Sequence, residues 1–393
     1  MLRRRTLLQG AAAGGVMAAG GAGAARAQLV PAVAPTADER AVLNGMLEAT
    51  VRKHGIPGAS VAIAASGRIV YQHTAGYADR SSRETLTSDH LFRIADLSHP
   101  ITAAAIFTLV EQGKLRLDET VFGPGSRLGS DFGAPPYAPF VEEISIEHLL
   151  THTAGGWRSD LRTTKWPKTA NDPLFAHAEM SRAELIAWTI KNVPLVNPPG
   201  RVWLYSTFGY CLLGRVIEKV TGQSYESFVR SQILERCGLP GIRIGGSTRA
   251  ERAAGEVVYH SDEGYDPYDI DLPRMDSHCG WIASPSDVVR FLTHVDGFPN
   301  PPDVLQPDTL RVMNTGSKVN PAYAKGWFVN FGNRHLHGGL YGSTGGMSYR
   351  TTGIGWVTMA NGRRYAEKKS YDGDLHLLPV EMVKKVKAWS QWR

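Results

Sequence analysis

Cysteine is scarce in this sequence: Cys211, Cys237 and Cys279 are the only three among 393 residues. Three irregularly spaced cysteines exclude a disulfide scaffold and a zinc knuckle, and at most one pair can form a bridge. Buried thiols are the expected state, because cysteine is among the residue types most often found inside proteins. A reactive thiol at Cys279 is the alternative.

The chain also lacks a long apolar run and a basic run interleaved with aromatic residues. No segment after residue 27 offers the roughly 20 apolar residues that span a bilayer, so we expect no stable membrane insertion. The formal net charge is +6, but the Lys and Arg residues are scattered, which argues against a nucleic-acid partner. With 42% hydrophobic and 20% charged residues, the composition is that of a globular protein with a large core.

The first 27 residues have the features of an export signal. Arg3-Arg4-Arg5 begins a twin-arginine type sequence, an apolar Ala/Gly stretch follows, and Ala25-Arg26-Ala27 fits a cleavage site before Gln28. We therefore predict cleavage after Ala27 and a periplasmic or secreted mature protein. An uncleaved membrane anchor is the alternative, and the weak hydrophobicity of the stretch disfavours it.

Hydrophobic periodicity and turn residues predict a mixed α/β fold. A helix is expected from Ala37 to His54, followed by a hairpin of two strands around Ser66-Gly67. Another helix is expected from Asp96 to about Glu111. The strands of the hairpin are expected at 59–65 and 68–77, later strands at 327–331, 334–340, 348–352 and 355–360, and a final helix at 375–392.

This order of elements predicts how the chain divides into domains. We expect an α/β domain that is split between residues 28–95 and 276–393. A mostly helical subdomain, residues 96–275, is inserted between the two parts.

The segment from Phe92 to Thr102 reads FRIADLSHPIT. It resembles the active-site segment of the serine β-lactamase and penicillin-binding-protein superfamily, especially its class C and esterase-like branch. In that family a nucleophilic Ser and its activating Lys form a Ser-x-x-Lys motif, and here those two positions are Asp96 and His99. Ser98 does not replace the nucleophile, because on a helix it points away from the face shared by residues i and i+3.

Two further segments match the same family. The run Tyr205-Ser206-Thr207 stands at its Tyr-x-Asn motif, in which the Tyr hydroxyl moves a proton and the Asn orients the substrate. The run His337-Gly338-Gly339 matches its Lys-Thr-Gly or His-x-Gly strand. Glycines there let the substrate approach closely, and the strand N–H groups, with that of Asp96, can bind an oxyanion.

The resemblance implies a β-lactamase/transpeptidase-like fold, in which helices flank an antiparallel sheet and an all-helical subdomain is inserted. It also implies a small-molecule ester, amide or peptide-like substrate and no cofactor. These motifs carry no information on oligomeric state. The implied catalytic residues are Asp96, His99, Tyr205 and His337, and the implied substrate-binding residues are Thr207, Gly338 and Gly339.

Three interpretations of the altered motif remain open. In the first, Asp96 is a first-turn anion paired with His99, in a catalytically inactive, ligand-binding site. In the second, Asp96 and His99 form an acid/base pair with Tyr205 as proton partner. In the third, Asp96 and His99 bind a metal ion with His335 and His337, or support other non-acyl chemistry. Ordinary β-lactamase or D-Ala-D-Ala peptidase activity should be weak or absent in each case.

Overall fold

A computed structural model describes residues 29–159, 177, 179–261, 266–364 and 368–390. The α-helices within these residues are α1 (Ala37–His54), α2 (His99–Glu111), α3 (Ile146–Leu150), α4 (Arg182–Asn192), α5 (Thr207–Thr221), α6 (Tyr225–Val229), α7 (Pro285–Thr293), α8 (Pro307–Met313) and α9 (Lys368–Val383). The strands are β1 (Gly58–Ala65), β2 (Arg68–Asp79), β3 (Glu84–Thr85), β4 (Phe92–Arg93), β5 (Arg243–Ile244), β6 (His260–Ser261), β7 (Trp281–Ala283), β8 (Phe328–Asn330), β9 (Asn333–Leu340), β10 (Ser343–Tyr349), β11 (Ile354–Ala360) and β12 (Gly362–Arg363).

Seven strands form one antiparallel sheet in the order β3-β2-β1-β11-β10-β9-β8. At its centre β1 pairs with β11, so that Ala59 lies opposite Ala360 and Ala65 lies opposite Ile354. Early and late parts of the chain therefore build the same sheet. This confirms the predicted fold class, an antiparallel sheet flanked by helices, whereas the domain boundaries at residues 95 and 276 stay a prediction.

Local sequence signals explain why α1 and the first hairpin match their predicted positions. Thr36 accepts a hydrogen bond from the Glu39 backbone and the Glu39 side chain accepts one in return, which is a capping box at the start of α1. Gly55 ends the helix with φ 60°, in the left-handed region that glycine adopts without strain. Caps and short turns involve neighbouring residues only, and they are readable from sequence for that reason.

Among the strands, β10 differs most from its prediction. It spans Ser343–Tyr349 instead of residues 348–352. The two glycines in its middle hide the alternation of side chains that predicts a strand, and close contacts require glycine at this place. A Cβ on Gly346 would lie 2.8 Å from Cδ2 of His376 and 2.9 Å from Cδ2 of His337. The final helix α9, predicted at 375–392, also begins and ends earlier.

Helices cover both faces of the sheet. α1 and α9 pack on one face, where Leu43 and Leu375 are buried, and α2 and α7 pack on the other. Successive side chains of a strand point to opposite faces. In β9, Leu336 and Gly338 therefore face α2, whereas His337 faces α9.

Three sequence predictions concern features outside the sheet. The predicted export signal, residues 1–27, lies outside the described residues. Among the helices described, none combines the length and apolarity needed to cross a bilayer. Cys211, Cys237 and Cys279 are all buried, as expected, and no disulfide joins them.

Candidate functional site

Asp96 lies where strand β4 turns into helix α2. The connection is a 3-10 turn, Ala95–Ser98, and Ala95 has φ 50°, in the left-handed region. A side chain other than glycine costs about 1–2 kcal/mol there. Strain of this kind is typical of functional sites, where a fixed backbone presents one side chain. Here it holds the Asp96 carboxyl group at the start of α2 with only 6% of the residue exposed.

Three side chains form a continuous hydrogen-bonded group around Asp96. The Tyr205 hydroxyl donates to Oδ1 of Asp96 over 2.7 Å. The same hydroxyl oxygen lies 3.2 Å from Nδ1 of His99. Because a phenol has one proton and Asp96 receives it, Nδ1 of His99 donates to Tyr205. The structure thus brings together Asp96, His99 and Tyr205, as the resemblance implied.

Burial controls the charge of this group. Desolvation raises the pKa of Asp96 to about 6, against the opposing effect of the Tyr205 hydrogen bond. Burial also raises the pKa of Tyr205 well above its usual range and lowers the pKa of His99 well below its own. At neutral pH the group therefore holds one negative charge, on Asp96, and two neutral proton donors or acceptors.

The Asp96 carboxylate lies against strand β9. A Cβ on Gly338 would be 2.7 Å from the Asp96 nitrogen and 3.1 Å from Oδ2, so only glycine fits there. The backbone N–H groups of Asp96 and Gly339 donate to the carboxylate and lower the pKa of Asp96. The resemblance assigns to an oxyanion the N–H of Asp96 and N–H groups of the strand that contains Gly339. In this structure they bind the protein's own carboxylate.

His152 is a further component of the site that the sequence does not single out. The Ser206 N–H donates to its Nδ1 over 3.2 Å, so Nε2 carries the proton and donates to the Tyr323 hydroxyl over 2.8 Å. Burial lowers the pKa of His152 to about 3. Its ring packs 4.2 Å from the ring of Tyr205. The residue has φ 57°, an unusual backbone that sequence cannot reveal.

Arg363 is a second such component. It forms an ion pair with Asp372 at 2.7 Å, and a Cβ on Gly339 would collide with its guanidinium group. Its positive charge lowers the pKa of Asp96. Arg363 stands 267 positions after Asp96 in the chain, in no motif of its own, so only the fold shows the proximity.

His337 does not join this group, which corrects the expectation that it lies beside Asp96. Its ring stacks on His376 of α9 at a centroid distance of 3.9 Å, and His335 is 6.2 Å away on the same side. The alternation of β9 places both histidines across the sheet from Asp96. The set proposed for a metal, Asp96 and His99 with His335 and His337, is therefore not assembled. Within the described part of the chain, no three His, Cys, Asp or Glu residues are arranged to hold a metal ion.

Thr207 occupies the N-terminus of α5, where its contacts involve Ser159. The Thr207 N–H donates to the Ser159 hydroxyl over 2.9 Å, and the two hydroxyl oxygens are 3.2 Å apart. The Ser159 N–H in turn donates to the Tyr205 carbonyl over 2.7 Å. Ser159 therefore fixes the backbone on both sides of Ser206. A substrate contact for Thr207 stays a prediction.

Comparison with known proteins decides the family. The model of the Beta-lactamase family matches residues 43–381. The chain belongs to this family. Penicillin-binding protein 4* of Bacillus subtilis (strain 168) is 30% identical over 272 residues, which cover 66% of this chain and 51% of that protein. Esterase EstB of Burkholderia gladioli is 30% identical over 224 residues, which cover 56% of this chain and 55% of that protein. The chain thus spans about half the length of the curated relatives it matches.

Solved structures share the fold. D-amino acid amidase from Ochrobactrum anthropi SV3, complexed with D-phenylalanine, superimposes with a TM-score of 0.69 at 22% identity, over 91% of this chain and 100% of that chain. The hydrolase EstCE1, described as having promiscuous acyltransferase activity, gives a TM-score of 0.69 at 22% identity, over 89% and 98% of the two chains. At this identity the likeness concerns the fold alone.

Proposed function

We propose that this protein is an enzyme that hydrolyses a small ester, amide or peptide-like substrate by general acid/base catalysis, without a covalent seryl intermediate. The carrying observation is the buried chain from Asp96 through Tyr205 to His99, in which one carboxyl group has its pKa raised to about 6. Strongly perturbed titratable groups in contact with one another are typical of catalytic sites. A relative of 30% identity that is named as an esterase supports the substrate class.

The proposed step uses Asp96 as the base. Its carboxylate accepts a proton from water while the oxygen of that water bonds to the substrate carbonyl carbon. The bond from this carbon to the leaving group then breaks, and the leaving group takes a proton from the Asp96 carboxyl group, directly or through Tyr205. A base is most effective when its pKa lies near the working pH, and a value of about 6 meets this condition.

A covalent route through a side chain is disfavoured at this site. A carboxylate is a poor acyl nucleophile, since the mixed anhydride it would form is high in energy. Ser98 is fully buried, and its hydroxyl has no hydrogen-bond partner among the described residues that would activate it. We therefore expect a fluorophosphonate probe and penicillin to leave the mass of the protein unchanged.

The deciding experiment compares the wild type with Asp96→Asn on p-nitrophenyl esters, D-phenylalanine amide and nitrocefin. The variant keeps the side-chain shape but cannot accept a proton, so kcat/KM should fall on the order of 100-fold or more. Asp89→Asn, at an exposed position, is the matched control and should retain wild-type activity. Equal activity of wild type and Asp96→Asn, or stable labelling at Ser98, would refute the proposal.

A second candidate function is ligand binding without catalysis. One observation favours it: the Asp96 carboxylate already accepts hydrogen bonds from Tyr205 and from the two backbone N–H groups that would otherwise stabilise an oxyanion. Calorimetric titration with the same compounds distinguishes the two functions. Binding of a compound by both wild type and Asp96→Asn, with no turnover by either, identifies a binding protein.

We also propose that the protein is exported. The support is the twin-arginine type start and the small-residue cleavage site before Gln28. Expression of the full chain in a bacterium with an intact twin-arginine pathway should yield a periplasmic product whose first residue is Gln28. Replacement of Arg4 and Arg5 by Lys should leave the uncleaved chain in the cytoplasm.

A further inference from the structure

A second hydrogen-bonded chain of side chains lies beside the group around Asp96. Its members are His152, Tyr323 and Tyr210, and each has at most 1% of its surface exposed. We call them the support chain. They come from three separate segments, which are the turn after α3, the loop before β8 and helix α5. Because they are buried at this depth, a substrate does not reach their polar atoms.

The direction of the hydrogen bonds in the support chain follows from its two ends. At one end, Nδ1 of His152 accepts from the Ser206 N–H, so its Nε2–H donates to the Tyr323 hydroxyl. At the other end, the Tyr210 hydroxyl donates to the Leu150 carbonyl over 2.9 Å. Tyr323 also interacts with the Tyr210 hydroxyl. Since the Tyr210 proton is already donated to Leu150, the Tyr323 proton is directed to the Tyr210 oxygen.

The members of the support chain keep their protons. Burial lowers the pKa of His152 to about 3, so the ring takes up no second proton near neutral pH. Burial also raises the pKa of Tyr210 and of Tyr323 above the usual range of a phenol, so neither hydroxyl ionises. A buried polar network whose groups are satisfied makes its surroundings rigid. The support chain is therefore suited to hold neighbouring groups in place, and it is unsuited to conduct protons.

Two rings of the support chain lie against His99 and Tyr205. The Tyr210 ring stacks on the His99 ring, with a centroid distance of 3.9 Å and an interplanar angle of 10°. The His152 ring lies 4.2 Å from the Tyr205 ring. The χ2 torsion of histidine has broad energy minima, so packing has to fix the plane of the imidazole. The stack on Tyr210 fixes the plane in which Nδ1 of His99 faces the Tyr205 hydroxyl.

We propose that the support chain positions His99 and Tyr205 for proton transfer at Asp96, an inference that rests on the acid/base function proposed for Asp96. Its three members are positioning residues and exchange no proton with the substrate. Packing of a core requires the rings alone, whereas positioning also requires the hydroxyl groups that fix them. A displacement of about 1 Å in a catalytic group can cost about 100-fold in rate, so a small movement of a ring is sufficient for an effect.

Tyr323→Phe tests the proposal, because it removes the central hydroxyl of the support chain and keeps the ring. Loosening of Tyr205 weakens its hydrogen bond to Asp96, a bond that lowers the pKa of the carboxyl group. The midpoint of the Asp96 titration should therefore move upward by about half a pH unit. On a substrate that the wild type hydrolyses, kcat should fall by about 10-fold with KM unchanged, because Tyr323 does not contact the substrate.

Tyr71→Phe is the matched control. Tyr71 is also buried, and its hydroxyl donates to Oδ1 of Asn44 over 3.0 Å beneath α1, on the other face of the sheet. This variant loses a buried hydroxyl without touching the support chain. It should leave kcat and the midpoint of the Asp96 titration at their wild-type values, and a change equal to that of Tyr323→Phe would overturn the proposal.

A double-mutant cycle decides whether Tyr323 acts through Tyr205. The titration of Asp96 is followed by the ¹³C resonance of its carboxyl group, which is assigned with Asp96→Asn. If Tyr323 acts through Tyr205, adding Tyr323→Phe to Tyr205→Phe moves the midpoint no further, whereas additive changes overturn the proposal. This titration requires no turnover. The expected cycle in a protein that hydrolyses none of the substrates supports the positioning and refutes only the hydrolytic function.

Tyr210→Phe provides a second variant that does not depend on Tyr323→Phe being folded. It removes the hydroxyl that accepts from Tyr323 and keeps the ring that stacks on His99. The midpoint of the Asp96 titration should move in the same direction and by a smaller amount. Thermal melting by circular dichroism identifies the variants that are folded. An unchanged midpoint in each folded variant of the support chain overturns the proposal.

Discussion

Histidine side chains lie on both sides of the sheet near strand β9, in different surroundings. On the α2 face, Gly338 contacts Asp96, whose carboxylate is hydrogen bonded to Tyr205 and adjoins the neutral His99. On the α9 face, His337 stacks on His376, and no carboxylate accepts a hydrogen bond from either ring among the described residues. Stacked imidazole rings alone thus do not make a proton-transfer site. A carboxylate with a raised pKa, bonded to a phenol, distinguishes the α2 face.

The largest expected effect is on the pH dependence of the free energy of unfolding, because burial of the charged Asp96 carboxylate destabilises the folded state. The pKa of Asp96 is about 6 in the folded protein, and about 3.9 in an unfolded chain. The folded state binds the proton more tightly, so this group favours folding below about pH 4, and the contribution is lost as the pH rises through 6. Asp96→Asn has no such titration.

Urea unfolding at pH 4 and pH 7 measures this difference. The free energy of unfolding of wild type, relative to Asp96→Asn, should fall by up to about 3 kcal/mol between the two pH values. Asp89→Asn controls for the loss of one surface carboxylate. A constant difference between wild type and Asp96→Asn would mean that Asp96 is not buried as a carboxylate.

Gly338→Ala tests the contact between β9 and Asp96. The added Cβ would lie 2.7 Å from the Asp96 nitrogen, a backbone atom that cannot move alone. Thermal unfolding should show a loss of about 1–3 kcal/mol, typical of overpacking. Gly45→Ala is the control, because no atom lies within 4 Å of its Cβ position, and it should not destabilise. A stable Gly338→Ala protein would place β9 farther from the site.

Tyr205→Phe tests the hydrogen bond to Asp96, because it removes the hydroxyl group and keeps the aromatic ring. The lost hydrogen bond lowers the pKa of Asp96 in the wild type, so the midpoint of the pH–rate profile should move upward. Activity at pH 7 should fall by about 10-fold, the effect of one hydrogen bond to a charged group. Tyr77→Phe, a partly exposed position, should leave the profile unchanged. Loss of activity without a shifted midpoint would indicate a role for Tyr205 in folding only.

The smallest effect is expected on the other face. His337→Ala should change kcat/KM by less than about twofold, because side chains on opposite faces of a sheet do not share a pocket. The same preparation should remain folded by circular dichroism. A loss of activity comparable to that of Tyr205→Phe would show that His337 takes part in catalysis and that the α9 face also contributes to the site.

These contrasts also explain how much sequence could predict. The motif around Asp96 and the turn at Ser66-Gly67 are local, and the fold class and the Asp96–His99–Tyr205 group followed from such segments. The position of His337 did not, because a shift of one residue in the register of a strand reverses the face of every side chain. His152 and Arg363 contact residues that are far from them in the sequence, and a short motif cannot predict such contacts.

Arg363 connects the hydrogen-bonded group to helix α9. Its guanidinium pairs with Asp372 of α9, abuts Gly339 and lowers the pKa of Asp96. Coupling between two charged groups is reciprocal, so a change that withdraws this guanidinium from β9 raises the proton affinity of Asp96. The position of α9, which contains none of the catalytic motifs, thus helps to set the pH at which the base is ionised.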